Sequence, residues 1–381
     1  MKVSIAVYGR FHAFNLAQQL HKNGFLNHLI TTYPIYKASE FGIDSHNIKS
    51  LLYLEILSRG WSKLPNWLKS DRNLQLFWLE WFDRNVTKNL QRDFDIFVGW
   101  SGACLWSFHR AKELGALTIV ERGSSHMQYQ TEILQEEYER WGLKFTVTHP
   151  GVYERELQAY QECDRIAVPS LFVKRTFLEK GIPESKLIHV PYGVSLSEFY
   201  PVPKEDQTFR VIHCGGITLR KGVQYLLQAF YELNLPDAEL WLVGSVDLEM
   251  NPFLAKYKSD KIILKGKQPQ NQLRWFYSQC SVFCIASIEE GLAMVQPQAI
   301  ACGLPVIHTT NTGGEDIVRD GVDGFCVPIR DVEALKAKIL YFYENPDKRD
   351  EMSNNALIQA QASLSWDDYG EKVINVYSKL L

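Results

Sequence analysis

Short β-rich runs alternate with helical periodicity along nearly all of the 381 residues. Val3-Ser-Ile-Ala-Val-Tyr8 leads through Gly9-Arg10 into apolar residues at Phe14, Leu16, Ala17 and Leu20, and Gly24 stops that helix. The next strand, His28 to Thr32, ends before Pro34. Strand, glycine turn, helix, strand is a βαβ unit, and a helical crossover implies parallel strands. The unit recurs at Asp95–Val98 with Leu117–Val120, and at Arg165–Val168 with Leu187–Val190. Residues 191–208 carry three prolines and a polar tail, which reads as a linker. A second set follows, with strands at Phe209–Cys214, Glu239–Val243, Lys261–Leu264, Ser281–Ile285 and Leu304–His308. An amphipathic helix starts near Asp367. The expected fold class is therefore α/β, with two doubly wound parallel-sheet domains. Ligands of such sheets bind outside the carboxyl ends of the strands, so the site is expected in a cleft between the two domains.

Composition narrows the function classes. Hydrophobic residues are 46% and charged residues 22%, which excludes a disordered chain. A net charge of −3 lacks the basic surplus of a nucleic-acid binder. No window reaches about 18 uninterrupted apolar residues, so no membrane span is expected. No secretory leader is expected either, because a strand-like run begins at Lys2. The chain is expected in the cytoplasm, with its seven scattered cysteines as free thiols. No CxxC pair or spaced histidines suggest a metal, and Asp93-Phe94-Asp95 reads as a chance DxD triplet before a strand. No GxGxxG follows a strand, which disfavours a dinucleotide dehydrogenase.

Several segments carry the chemistry. In Ile285–Ile307 a buried strand leads into a polar loop with Glu289, Glu290 and Gly291, then a helix with Pro297 in its first turn and Gly303 after its end. The first N–H groups of such a helix suit a phosphate. Glu290 can accept hydrogen bonds from sugar hydroxyls, or it can simply cap the helix. Cys214-Gly215-Gly216-Ile217-Thr218-Leu219-Arg220-Lys221-Gly222 is a glycine loop with two cations before a helix, suited to a diphosphate, and it is not a P-loop.

The segment around Glu290 resembles the donor-site signature of the family-4 glycosyltransferases, retaining enzymes of the GT-B fold. Glu290-Gly291-Leu292-Ala293 matches its first part, and Ala299-Ile300-Ala301-Cys302-Gly303-Leu304-Pro305-Val306-Ile307 its last. Further segments agree in order. They are Cys163–Ser170, Val190-Pro191-Tyr192-Gly193-Val194 with Phe199 and Pro201, Thr312–Glu315, and Asp320–Phe325. The chain departs from the family at three places. Gln298 stands for the second glutamate, which holds the ribose; Gly216 for an arginine on the diphosphate; and Tyr192 for an asparagine.

The resemblance implies an acceptor-side domain over residues 1–195, completed by helix 367–381 crossing back, and a donor domain over 196–366. It implies a nucleotide-diphosphate sugar, UDP-linked, as co-substrate, with no cofactor and no metal. Lys221 and Arg220 would hold the diphosphate with Gly215 and Gly216, and Gln298 the ribose. Glu290 would orient the sugar with Gly291, Leu292, Ala293 and Met294, and Lys267 would lie near the base. In the first domain Gly9 would approach the phosphates. Arg10, His12 and Arg122 would stand on the acceptor side, and His126 would assist at the reacting sugar unless it is structural. The implied acceptor is a glycan, a lipid-linked sugar or a small molecule. Residues 59–84 interleave Trp61, Trp67, Phe77, Trp78, Trp81 and Phe82 with Arg59, Lys63, Lys69, Arg72 and Arg84. They would touch the inner face of a membrane or the acceptor, or pack on the sheet. Two other readings stay open: a catalytically weak GT-B subunit supporting a partner enzyme, and a sugar-nucleotide epimerase on the same frame.

Overall fold

The computed structural model describes residues 1–63 and 74–381, without the side chain of Ser62. Trp67, Lys69 and Arg72 therefore lie outside the described residues.

The first sheet is built from β1 (Val3–Val7), β2 (Leu26–Thr31), β3 (Ile48–Ser50), β4 (Ile96–Trp100), β5 (Leu117–Glu121), β6 (Arg165–Val168) and β7 (Leu187–His189). Its spatial order is β3-β2-β1-β4-β5-β6-β7, with every pairing parallel. The second sheet uses β8 (Phe209–Cys214), β9 (Ala238–Val243), β10 (Ile262–Gly266), β11 (Val282–Ile285), β12 (Val306–Thr309) and β13 (Gly324–Val327). Its order is β10-β9-β8-β11-β12-β13, again all parallel. Every residue of the central strands β1, β4 and β8 is buried. Helices cover both faces of such sheets, which explains the unbroken apolar runs where a half-exposed strand would alternate. The two Rossmann-like domains form a GT-B fold around a central cleft.

Two strands were not expected from the sequence. β3 has three residues and β13 four, both at sheet edges. Such short runs carry too little periodicity to stand apart from loops.

Chain order reverses between β1 and β4 in one sheet and between β8 and β11 in the other. Loops leaving those strands diverge to opposite faces and open a crevice at each switch point. These loops hold Gly9–His12 and Ser101–Ala103 on one side, and Gly215–Lys221 and Glu289–Gly291 on the other.

The helix Trp366–Ser378 starts with a capping box, in which Ser365 and Asp368 each bond the other's backbone N–H. It packs on the helix Ala13–Lys22 of the first domain. Gln19 and Lys22 both donate to Asp367, at 3.0 and 2.8 Å. Tyr369, Val373 and Tyr377 enter the same buried cluster as Ile5 and Phe14. That cluster continues through Tyr192 and Phe199 to Tyr277 and Phe283 of the second domain. Among the described residues no helix is long and apolar enough to cross a membrane.

Candidate active site between the domains

A cleft of about 790 Å³ opens where the two switch points face each other. The second domain supplies Cys214, Gly215, Arg220, Lys221, Glu290 and the run Leu292–Val295. Local backbone needs pin this wall. Gly222 has φ +63°, and a Cβ on it would stand 1.8 Å from the Ala286 carbonyl oxygen. Only glycine lets the loop after β8 lie against the end of β11. The Ile288 N–H then donates to the Arg220 carbonyl at 2.9 Å. This brings both cations beside both glutamates.

Lys221 Nζ donates to Glu290 Oε1, so the expected diphosphate cation and the expected sugar carboxylate form one ion pair. Glu290 is 8% exposed and Lys221 is half-buried. Arg220 is committed differently. It pairs with Glu289 at 2.9 Å and donates to Ser124 Oγ at 3.3 Å, while still lining the cleft.

Glu289 is a residue whose importance sequence reading missed. It is fully buried and ties the domains together. It accepts from Ser124 Oγ (2.8 Å), Ser125 N–H (3.0 Å), Ser125 Oγ (2.6 Å) and Gln130 Nε2 (2.8 Å), besides Arg220. Burial alone would raise its pKa; the Arg220 charge and the hydrogen bonds from Ser125 and Gln130 outweigh that and hold it at about 2. Gln130 Oε1 in turn accepts from Arg122 at 3.0 Å, and Arg122 pairs with buried Glu156 at 2.9 Å. Gly291 completes the latch. A Cβ on it would meet the Gly123 carbonyl oxygen at 1.9 Å, and its own carbonyl accepts from Ser170 Oγ at 2.8 Å.

The helix after Glu290 spans Val295–Ala301, with Met294 before it. Pro297 thus sits at its third position. The first N–H groups lack intrahelical partners by geometry. The Ala293 N–H does have one, the Thr312 carbonyl at 3.4 Å. Of the expected donors over residues 292–294, Ala293 is therefore already engaged.

On the first-domain wall stand Tyr8, Phe11, His12, Trp78, Trp100, Glu121 and Tyr192, with Gly123 at the seam. His12 Nε2 lies 3.2 Å from Glu121 Oε2, and its ring packs on Tyr192 and Trp100 with centroids 4.1 and 4.9 Å apart. Glu121 was not singled out from the sequence, and Tyr192 was noted there only as standing for an asparagine. A carboxylate at the carboxyl end of β5 was the available signal.

His126 does not line the cleft, and its expected role at the reacting sugar is corrected. It is the N-cap of the helix Met127–Arg140, and its Nδ1 accepts from the Gln128 N–H at 3.2 Å. Its ring is wedged between Tyr160 and Phe177. Burial, helped by Arg122 and Lys180, pushes its pKa down to about 4. An apolar wedge at a helix start makes it a structural histidine.

Several other expected residues stand off the cleft wall. Gln298 Oε1 accepts from Tyr277 Oη at 3.2 Å. Lys267 is exposed just beyond β10. Arg10 is exposed and stacks on Phe41 at 4.9 Å. Gly216 lies in the loop after β8, beside Thr218. Gly9 has φ +102° and is fixed by Thr31 and Thr32 through bonds of 2.7 and 3.1 Å. Arg122 lines the cleft, but its guanidinium is spent on Glu156, Gln130 and the Ser125 carbonyl. Of the aromatic run, Trp78 reaches the cleft, Phe82 is core, Phe77 is half exposed, and Trp81 stacks on Trp78 at 5.8 Å. Among the described residues, no group of three or more His, Cys, Asp or Glu side chains is placed to hold a metal ion.

Residues 198–359 match the family model described as glycosyl transferases group 1. A GDP-mannose-dependent monoacylated alpha-(1-6)-phosphatidylinositol monomannoside mannosyltransferase of Corynebacterium glutamicum is 26% identical over 249 residues, which is 60% of this chain and 65% of that one. That match spans under two thirds of the relative's own length. Among solved structures, sucrose-phosphate synthase from Thermosynechococcus elongatus superposes with a TM-score of 0.76 at 17% identity, covering 100% of this chain and 99% of the other. Anabaena HepE in complex with UDP-glucose superposes with a TM-score of 0.72 at 13% identity, covering 100% of each.

Proposed function

We propose, for a chain whose second domain is that of the group 1 glycosyltransferases and whose fold is GT-B, that it moves a sugar from a UDP-linked donor to an acceptor hydroxyl with retention of anomeric configuration. The observation that carries the reading is the Lys221–Glu290 pair on the cleft wall, next to the start of the helix Val295–Ala301 and opposite His12 and Trp100. An arriving diphosphate competes with Glu290 for the ammonium, and Lys221 then stabilises the negative charge that grows on the leaving group. Glu290, released from the lysine, accepts hydrogen bonds from donor-sugar hydroxyls. Leu292 and Met294 line the same space and would offer it their N–H groups, and Gln298, which stands off the cleft wall, would bind the ribose after exchanging its bond from Tyr277.

The reacting oxygen of the acceptor forms the new bond to the anomeric carbon as the carbon–phosphate oxygen bond breaks. The acceptor proton passes to the departing phosphate, so no protein nucleophile is required. The Glu289 latch keeps the two walls at one spacing and lowers the cost of ordering donor and acceptor together. Neither cofactor nor metal takes part in this reading. The solved structure with UDP-glucose supports UDP as the nucleotide, and the GDP-mannose-dependent relative sets GDP as the comparison to make.

One observation favours a second reading. Arg220, though it lines the cleft, is held by buried Glu289, Lys221 is paired with Glu290, and Gly216 has no side chain, so among the described residues of this loop no cation is left unpaired for a diphosphate. A catalytically weak subunit would look the same. Calorimetry with UDP and GDP, followed by release of UDP from UDP-sugars in the presence of acceptors, separates the two. UDP binding with turnover supports the enzyme. Absence of both, across several donors, removes the proposal.

A further inference from the structure

The first-domain wall of the cleft differs in chemistry from the donor wall. Its charged groups are Glu121, Arg122 and Glu156. Arg122 is 8% exposed and closed off by Glu156. Among the described residues lining this wall, therefore, no cation stands without a carboxylate partner. Tyr8, Phe11, Trp78 and Trp100 give it aromatic surface, alongside the uncharged polar side chains of Gln75, Ser101, Ser124 and Gln130.

Two polar groups on this wall, Ser101 Oγ and Tyr192 Oη, are buried without a hydrogen-bond partner among the described residues. Tyr192 is 5% exposed. Its hydroxyl lies 3.3 Å from where a Cβ on Gly123 would stand, so it points to the seam of the cleft. A buried, unpaired hydroxyl is destabilising, and a ligand that pairs with it recovers that loss. His12 sits against it. In the tautomer that donates Nε2–H to the Glu121 carboxylate, His12 keeps Nδ1 as an acceptor. His12 Cε1 is also 3.9 Å from the same Gly123 position, and Gly123 touches Gly291 next to Glu290. The group thus borders the point where donor and acceptor must meet.

We infer that this wall is a binding site for an uncharged sugar residue, stacked on Trp78 and Trp100 and held at its hydroxyls by Tyr192 Oη and by His12 oriented by Glu121. The inference rests on the transferase reading and names its acceptor class: the end of the acceptor that enters the cleft is a neutral glycosyl unit rather than a phosphate or a lipid headgroup. Aromatic faces bind the apolar face of a pyranose, while Nδ1 and carboxylate oxygens accept from hydroxyls. A phosphorylated sugar would bring its charge beside Glu121 and Glu156, where like charges repel.

The test is saccharide binding to the full chain preloaded with UDP, read by tryptophan fluorescence, with neutral methyl glycosides and the matching glycose 1-phosphates as probes. Neutral glycosides are expected to bind at least tenfold more tightly than the phosphates. Tyr192→Phe should weaken them about fivefold, the worth of one neutral hydrogen bond. Trp78→Ala should weaken them further and shrink the fluorescence change. UDP affinity should stay within twofold in both variants. Equal or tighter binding of the phosphates overturns the inference, as does unchanged glycoside affinity in Tyr192→Phe. If Trp78→Ala fails to fold, Tyr192→Phe removes one oxygen and still decides. Loss of UDP binding in the unaltered protein would instead strike the donor reading, because the saccharide arm can be read without nucleotide.

Discussion

Replacing Gly291 with alanine is expected to unlatch the two domains. The new methyl would stand 1.9 Å from the Gly123 carbonyl oxygen, 2.6 Å from its carbon and 3.1 Å from Ser124 Cα. All three are backbone atoms, so no flexible side chain can move aside. A carbon approaches a carbonyl oxygen to roughly 3.3 Å, so the loops must part by about 1.4 Å. The neighbouring bonds from Ser124 and Ser125 to Glu289 are now 2.6–3.0 Å long. Stretched by that amount they reach about 4 Å and cease to be hydrogen bonds. Overpacking costs about 1–3 kcal/mol. Each lost bond to a buried carboxylate costs about 1.5–3 kcal/mol, so losing these three brings the total to about 5.5–12 kcal/mol. The penalty falls on the seam rather than on either core. The expected result is an open molecule with both domains folded: a larger radius of gyration by small-angle scattering, sugar transfer reduced at least a hundredfold, and UDP affinity within a few-fold of the unaltered protein. A compact Gly291→Ala chain with an unchanged transfer rate would refute this account of the seam.

Other outcomes follow from the same contacts. Lys221→Ala should lower UDP affinity about 10- to 100-fold by calorimetry, the worth of one or two charge-assisted hydrogen bonds. Glu289→Gln removes the charge opposite Arg220 and turns an N–H₂ toward donors. It should cost about 3–5 kcal/mol in urea unfolding, whereas a surface pair would cost under 1. His126 gives a pH dependence of defined sign. Its folded pKa, about 4, lies below the unfolded 6.5, so its neutral form stabilises the fold above pH 6.5 and that stability drains away as pH falls toward 4. The loss is at most about 3 kcal/mol, at about 1.4 kcal/mol per unit. His126→Asn, which keeps an N-cap acceptor, should flatten part of that slope in thermal melts at pH 4.5 and 7. The rest should remain, because buried His213 also titrates at about 4.

Much of the frame was legible in the chain. Buried parallel strands are continuous apolar runs, and the glycine turns between them mark the crossovers, so β1, β4, β8 and β11 could be read directly. The edge strands β3 and β13 could not, being too short to carry a period. The site was legible where local sequence sets it. Gly222 forces the loop that carries Lys221 against the strand leading to Glu290, and both were expected in one place. Sequence failed where the direction of a side chain depends on the other domain. Glu289 and Glu290 are adjacent and chemically alike, yet one faces Ser125 and Gln130 and the other faces Lys221. His12 and His126 each follow a strand of the first sheet, and the tertiary packing of Tyr160 and Phe177 takes one of them into the core. Tyr192 is remote in sequence from His12, so their contact appears only in three dimensions.

The most direct test of the central claim is to incubate the protein with UDP-sugars and neutral glycoside acceptors, then follow UDP release and the anomeric proton of the product by NMR. The account requires UDP release that depends on acceptor, is strongly reduced in Lys221→Ala and Glu290→Gln, and yields a linkage of the donor's own anomeric configuration. A product of inverted configuration would contradict the retaining mechanism. UDP release that is unaffected by removing Lys221 and Glu290 would contradict the assignment of the donor site itself.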